Sequence, residues 1–305
     1  IACIGGSALV AVSATGGTAP YIGTGTFSVV AGINNFTITD NNGCIGVSPI
    51  QTVIVNPNPA AFIAPSSPPN SLCQGDTVTL QSFPSSFNYQ WIQYNSINGQ
   101  SSIISTGNQN LPVTNSGTYT VTNYNPSGCF TISDPITVTV NPLPAPSIIA
   151  NGPTTFCQGN SVFINATGIG ITTYQWKVNG QNIPGATLSS YTATTSGSYS
   201  VEVGNNNNCS NISSSINVTV NQNPSANITY TWPTPPPILL CPGTGIGLTA
   251  SPSNMNYIWN SSSSNLGIQT NQYLLANTTG SYTVNVTDAN GCSQSASVTV
   301  TVNAL

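Results

Sequence analysis

Val recurs with a period of two before Asn in four places along the chain, at VIVN (53–56), VTVN (138–141), VTVN (218–221) and VTVN (300–303), alternating with Thr in the last three. Such alternation predicts a half-buried strand, and the Pro-rich sequence after the first three ends its ladder because Pro has no amide proton to donate. Upstream of the last three lie further alternating runs, with Val78 and Leu80, Val162 and Ile164, and Ile246 and Leu248 as their inward positions. Apolar positions nowhere recur with helical spacing, so the pattern predicts an all-β chain.

The runs belong to a repeat. Cys73, Cys157 and Cys241 are evenly spaced, and each opens a Cys-x-Gly that Cys3 opens as well. Each of the last three units then carries a strand, a Trp (Trp91, Trp176, Trp259), a Gly-x-Tyr (Tyr119, Tyr199, Tyr282), a second cysteine (Cys129, Cys209, Cys292) and the closing Val-Asn strand. The first unit is shorter, lacks the Trp, and reads as placing Phe36 where the others have Tyr, ahead of Cys44. Boundaries at the Val-Asn segments give four units, 1–57, 58–142, 143–222 and 223–305. Short strands with frequent turn signals in units of this size predict a tandem array of four small Ig-like antiparallel β-sandwich domains.

In an immunoglobulin-like sandwich, a Trp on the third strand is buried and a Tyr precedes by two residues the usual sixth-strand cysteine. That position holds Val121, Val201 and Val284, so an apolar contact is expected in place of the inter-sheet bridge. Two cysteines per unit predict a bridge from the start of the second strand to the loop after the sixth: Cys3 to Cys44, Cys73 to Cys129, Cys157 to Cys209 and Cys241 to Cys292. Closing such loops contributes roughly 3 to 4.5 kcal/mol on the chain-entropy model, and domains this small need it.

Composition narrows the chemistry. There is no histidine, Lys177 is the one basic residue, and the five acids (Asp40, Asp76, Asp134, Glu202, Asp288) are scattered. General acid–base catalysis and nucleic-acid binding lack their parts, and no carboxylate cluster offers a calcium site, so the chain is read as non-catalytic, with no metal and no cofactor. No apolar run reaches membrane-spanning length, and Ile1 begins without a signal peptide, as in a mature or excised piece. An even cysteine count without metal-ligand spacing points to disulfides and an extracellular, cell-surface setting.

The set FCQGNSVFINA, YQW, TSGSYSVEV and VTVN before Pro resembles the tandem Ig-like repeats of very large Bacteroidota surface proteins. The first unit, with ATGGTAPYIGTG and TDNNGC, is similar to the SprB-type or PKD-like repeat of gliding-motility adhesins. The resemblance implies a type IX-secreted adhesin whose repeats form a stalk that extends a binding tip. A self-assembling filament subunit and a glycan-binding module are the alternatives, with adjacent repeats, copies of the chain or surface glycans as partners.

Few residues stand outside the repeat. Trp232, in the longest inter-unit segment, is a candidate inter-unit or ligand contact, and Tyr94 and Tyr124 are the other candidate platforms for a sugar. Lys177 follows Trp176 and should point away from the core. Asn-x-Ser/Thr recurs, for instance at Asn35, Asn217 and Asn277, and Asp76-Thr77-Val78 matches the O-glycosylation pattern that the resemblance implies, with Thr77 facing outward. Only Ile1 and Ala2 precede Cys3, so unit one is expected to lack its first strand, supplied either by upstream chain or by a neighbouring copy.

Overall fold

The computed structural model describes residues 2–69, 72–85, 88–95, 99–231, 238–262 and 268–303. Among them there is no helix, and every ladder pairs strands of one sequence repeat. The chain divides into two compact units, Ile1–Leu143 with Asn207–Cys209, and Pro144–Asn206 with Ser210–Leu305.

In the first unit, residues 1–57 form two-stranded ladders: Ala8–Val12 against Gly25–Val29, Gly32–Asn34 against Gln51–Val53, and Thr37–Thr39 against Ile45–Val47. Val12 and Val29 are buried, and Phe27 and Phe36 meet ring to ring at 5.0 Å. Residues 58–142 form a three-stranded sheet, centred on Val78–Phe83, facing a five-stranded one centred on Asn88–Asn95 and Gly117–Tyr124. Strict alternation in Val78–Phe83 sends Val78 and Leu80 inward, where they share a core with Trp91, Tyr119 and Val121.

The second unit repeats the plan twice. Val162–Thr167 lies between Ser147–Ala150 and Ser190–Ala193, facing a sheet in which Thr173–Val178 pairs with Gly197–Gly204. Ile246–Ser251 likewise lies between Asn227–Thr229 and Tyr273–Ala276, facing Asn256–Ser261, Gly280–Thr287 and Ser293–Val302. Each pair of sheets encloses its own apolar cluster.

The Trp and Tyr positions organise these cores. Trp91, Trp176 and Trp259 are at most 1% exposed and lie directly opposite Val121, Val201 and Val284 in register. Their indole N–H groups donate to the carbonyls of Asn108, Leu188 and Asn271 at 2.9, 2.9 and 3.0 Å, so no donor is stranded. Tyr119, Tyr199 and Tyr282 each donate a hydroxyl to the carbonyl four residues back, at 2.9 to 3.0 Å, the tyrosine-corner arrangement. Val121, Val201 and Val284 are fully buried beside Leu80, Ile164 and Leu248, an apolar contact where immunoglobulins carry a disulfide.

Unit one departs from the reading of Phe36. The Phe36 amide donates to Ser48 Oγ at 2.9 Å and the Ser48 amide to the Phe36 carbonyl at 2.7 Å. Val121 with Ser133, and Val201 with Ser213, make the same double contact. Phe36 is therefore the counterpart of the buried Val, not of the Tyr, whose place falls to Asn34.

Lys177 lies on the outward side of its strand. Its Nζ donates to Asn182 Oδ1 at 2.7 Å and pairs with Glu202 at 3.0 Å.

Candidate functional site

The cysteines do not pair within repeats. Cys3 is bonded to Cys129, Cys73 to Cys209 and Cys157 to Cys292, with Cα separations of 5.5, 5.5 and 5.4 Å. Among the described residues Cys44 and Cys241 are free and exposed. The four expected intra-repeat bridges are thus replaced by three that join the first cysteine of one repeat to the second cysteine of the next.

Strand directions explain the correction. Leu72–Cys73 runs parallel to Val140–Asn141, with Cys73 opposite Asn141, the last residue of the repeat's closing strand. Cys129 immediately precedes Phe130–Ile132, where that closing stretch begins. The residues between span roughly 30 to 36 Å of extended chain, whereas a disulfide tolerates only about 4.4 to 6.8 Å between Cα atoms. The same holds for Cys3, opposite Asn56, against Cys44, which precedes Ile45–Val47. In the third repeat Cys157 lies opposite Asn221 while Cys209 precedes Ser210–Ile212. In the fourth, Leu240 pairs with Val302 while Cys292 precedes Ser293–Val302. One cysteine sits at each end of a sandwich, and only a neighbouring repeat can reach it.

Each type of cysteine has its own turn. The Cys-x-Gly turn is closed by a backbone bond to the cysteine carbonyl from Gly6, Asp76, Asn160 or Thr244, at 2.8, 2.9, 3.1 and 3.2 Å. In the first, second and fourth repeats the second cysteine is held by an Asx turn. Asp40 Oδ1 accepts the amides of Asn42 and Cys44 at 2.9 and 2.8 Å, Asn125 Oδ1 those of Ser127 and Cys129 at 3.0 and 2.9 Å, and Asp288 Oδ1 those of Asn290 and Cys292 at 2.9 and 2.8 Å. The residue before the cysteine is left-handed, as Gly43, Gly128 and Gly291 near φ 80 and as Asn208 at φ 60. Amides of Cys44 and Thr18 hold the Asp40 carboxyl below the usual carboxylate range, outweighing the opposing effect of desolvation.

Where the bond is made, the turn is covered. Cys129, Cys209 and Cys292 are at most 1% exposed. Within the first compact unit, Asn125 Nδ2 donates to the Pro57 carbonyl at 2.9 Å, and the Cys129 sulfur lies 3.9 Å from the Asn56 carbonyl. The closing Val-Asn-Pro of repeat one is therefore seated on the Asx turn of repeat two. Cys44, on an equivalent turn, borders an open groove of about 370 Å³ lined by Ser13, Tyr21, Ile38, Asp40, Ile45 and Pro49.

Tyr94 and Tyr124 do not form a joint platform. Tyr94 is 45% exposed, and Tyr124 is half-buried with its ring 5.8 Å from Phe130. In register Tyr94 pairs with Thr118 and Tyr124 with Asn88, placing them six residues, or about 20 Å, apart along the sheet. Trp232 lies outside the described residues. Thr77 is exposed next to buried Val78, and Asn35, Asn217 and Asn277 are exposed too. Among the described residues no group of His, Cys, Asp or Glu could hold a metal, and no helix is long and apolar enough to cross a membrane.

A buried polar pair in repeat two was not anticipated. Ser82 Oγ donates to Asn123 Oδ1 at 2.7 Å, and Asn123 Nδ2 donates to the carbonyls of Ala60 and Phe83 at 3.0 and 3.4 Å. Both side chains are fully buried, where the later repeats carry Ala166 with Val203 and Ala250 with Val286.

No protein-family model and no curated protein matches the chain. Among solved structures it is similar to the N-terminal eight Ig domains of the Down Syndrome Cell Adhesion Molecule, at 13% identity and a TM-score of 0.32, over 89% of this chain and 40% of that one. It is also similar to a three-Ig segment of titin (16% identity, TM-score 0.36, 76% of this chain and 94% of that one). A third is the insect immune protein hemolin (14% identity, TM-score 0.33, 88% and 81%). The chain spans less than half of the first of these, and the first two are runs of Ig domains.

Proposed function

We propose that this chain is a non-catalytic extracellular segment of an adhesin, built from four Ig-like sandwiches at 1–57, 58–142, 143–222 and 223–305, which holds a binding tip away from a bacterial surface. The observation that carries this reading is the interleaving of the three disulfides, Cys3 to Cys129, Cys73 to Cys209 and Cys157 to Cys292. A pulling force applied to the ends passes from Cys3 across to Cys129, along backbone to Cys157, and across to Cys292. Most of the chain is bypassed, so the length to which the oxidised chain can be drawn out is capped by that short path. Disulfides also suit an oxidising, extracytoplasmic setting. The motif resemblance to Bacteroidota surface repeats supports the bacterial surface and type IX secretion.

Glycan binding is disfavoured by the separation of Tyr94 from Tyr124. A filament subunit stays open as the second reading, favoured by the two exposed thiols.

Single-molecule extension tests the stalk. The oxidised chain, held at its ends, should reach a contour length of about 170 Å along the bypass, and the reduced chain about 1,100 Å. Equal extension before and after reduction would overturn the mechanical role.

A further inference from the structure

The three disulfides obey a pairing rule. Each joins a cysteine of the Cys-x-Gly turn to the second cysteine of a repeat, which stands on an Asx turn at Cys129 and Cys292 and follows a left-handed residue in all three, and none joins like with like. The two cysteines left over are one of each kind: Cys44 stands on an Asx turn and Cys241 on a Cys-x-Gly turn.

We propose that Cys44 and Cys241 are open rungs of the same ladder, each bonded by the complementary cysteine of a neighbouring repeat of this design. Cys44 takes a cysteine from a Cys-x-Gly turn and Cys241 one from an Asx turn. A second copy of this chain carries both partners, and so does a flanking repeat at either side in a longer polypeptide. The proposal goes beyond the stalk reading and does not depend on what the adhesin binds.

Both free turns are already in the bonded form. The Asx turn at Cys44 matches those at Cys129 and Cys292 bond for bond, and the carboxylate of Asp40 is no obstacle because Asp288 holds the same turn in a finished rung. At the other end, Asn303 donates its amide to the Leu240 carbonyl, placing a closing Val-Asn beside Cys241 as Asn56 stands beside Cys3. The groove at Cys44 lies open where, at Cys129, the closing Val-Asn-Pro of the preceding repeat is seated. What separates the free cysteines from the bonded ones is cover: the second cysteines inside rungs are at most 1% exposed, whereas Cys44 is exposed.

The bond forms by thiol–disulfide exchange. The two thiols lose two protons and two electrons as one S–S bond is made, and a small disulfide such as oxidised glutathione is cleaved to two thiols.

The test uses the full chain as C44S and C241S, each retaining one free thiol, in a glutathione redox buffer. Neither variant alone should dimerise, while their mixture should give at least about tenfold more disulfide-linked dimer, with Cys44 bonded to Cys241 on peptide mapping. Equal dimer from either variant alone would overturn the proposal, because it would mean mere exposure and no complementarity. Mapping of the protein from its native source separates the origins of the partner. A Cys44 peptide linked to the Cys241 peptide assigns a second copy, and one linked to another Cys-x-Gly sequence assigns a flanking repeat even when the mixture stays monomeric. Free thiols at both positions in the native protein would overturn it.

Discussion

Cys3 and Cys129 are 126 residues apart in sequence and bonded in space, across a junction where Asn125 also donates to the Pro57 carbonyl. Because Cys73 and Cys209 form the next bond, the loops closed by the two bonds overlap. Overlap makes each repeat's stability depend on its neighbour. On the chain-entropy model, closing loops of this size contributes roughly 4 to 5 kcal/mol apiece.

Reduction should therefore destabilise the chain far more than salt. Among the described residues there is one ion pair, Lys177 with Glu202, on side chains 15% and 37% exposed, and such a pair is worth about 0 to 1 kcal/mol. Melting temperature should fall sharply with reductant and move little with sodium chloride. A large salt shift with no reductant shift would contradict the ladder's role.

The turn at Cys44 should be acid-sensitive. The Asp40 carboxyl is depressed in the folded state, so its contribution is present above the unfolded value of about 3.9 and is lost as pH falls through the lower folded value. Asn125 performs the same task without a charge, so D40N should keep the turn and abolish this acid dependence. Melts of both proteins between about pH 2 and pH 6 check this, and parallel pH profiles would count against it.

In repeat two, N123V should cost about 1 to 3 kcal/mol, because Ser82 and the carbonyls of Ala60 and Phe83 lose their buried partner. Adding S82A should recover part of the loss by recreating the Ala and Val pairing of the later repeats. Urea titrations of the two variants give the comparison. A double variant no better than N123V would mean that the two carbonyls, rather than Ser82, set the cost.

Much of the fold was legible in the sequence because strand alternation and aromatic placement are local signals. Trp91, Trp176 and Trp259 are buried, as their recurrence on the third strand of each Ig-like repeat implied, and lie opposite Val121, Val201 and Val284. The disulfide partners were not legible, since two cysteines per repeat suggest a pair but carry no direction. What decides them is the parallel pairing of Cys73 with Asn141, a contact between residues far apart in sequence. Phe36 was misplaced although a signal was present: it stands eight residues before Cys44, as Val121 does before Cys129. The Ser82 and Asn123 pair gave no warning, because each polar residue sits in a run that otherwise alternates normally.

The most direct measurement is peptide mapping of the isolated 305-residue chain as an unreduced monomer, free of flanking repeats, digested with pepsin at acid pH so that thiols cannot exchange. An interleaved ladder predicts linked peptides containing Cys3 with Cys129, Cys73 with Cys209 and Cys157 with Cys292, and unlinked peptides for Cys44 and Cys241. Cys73 linked to Cys129, or Cys157 to Cys209, would contradict it.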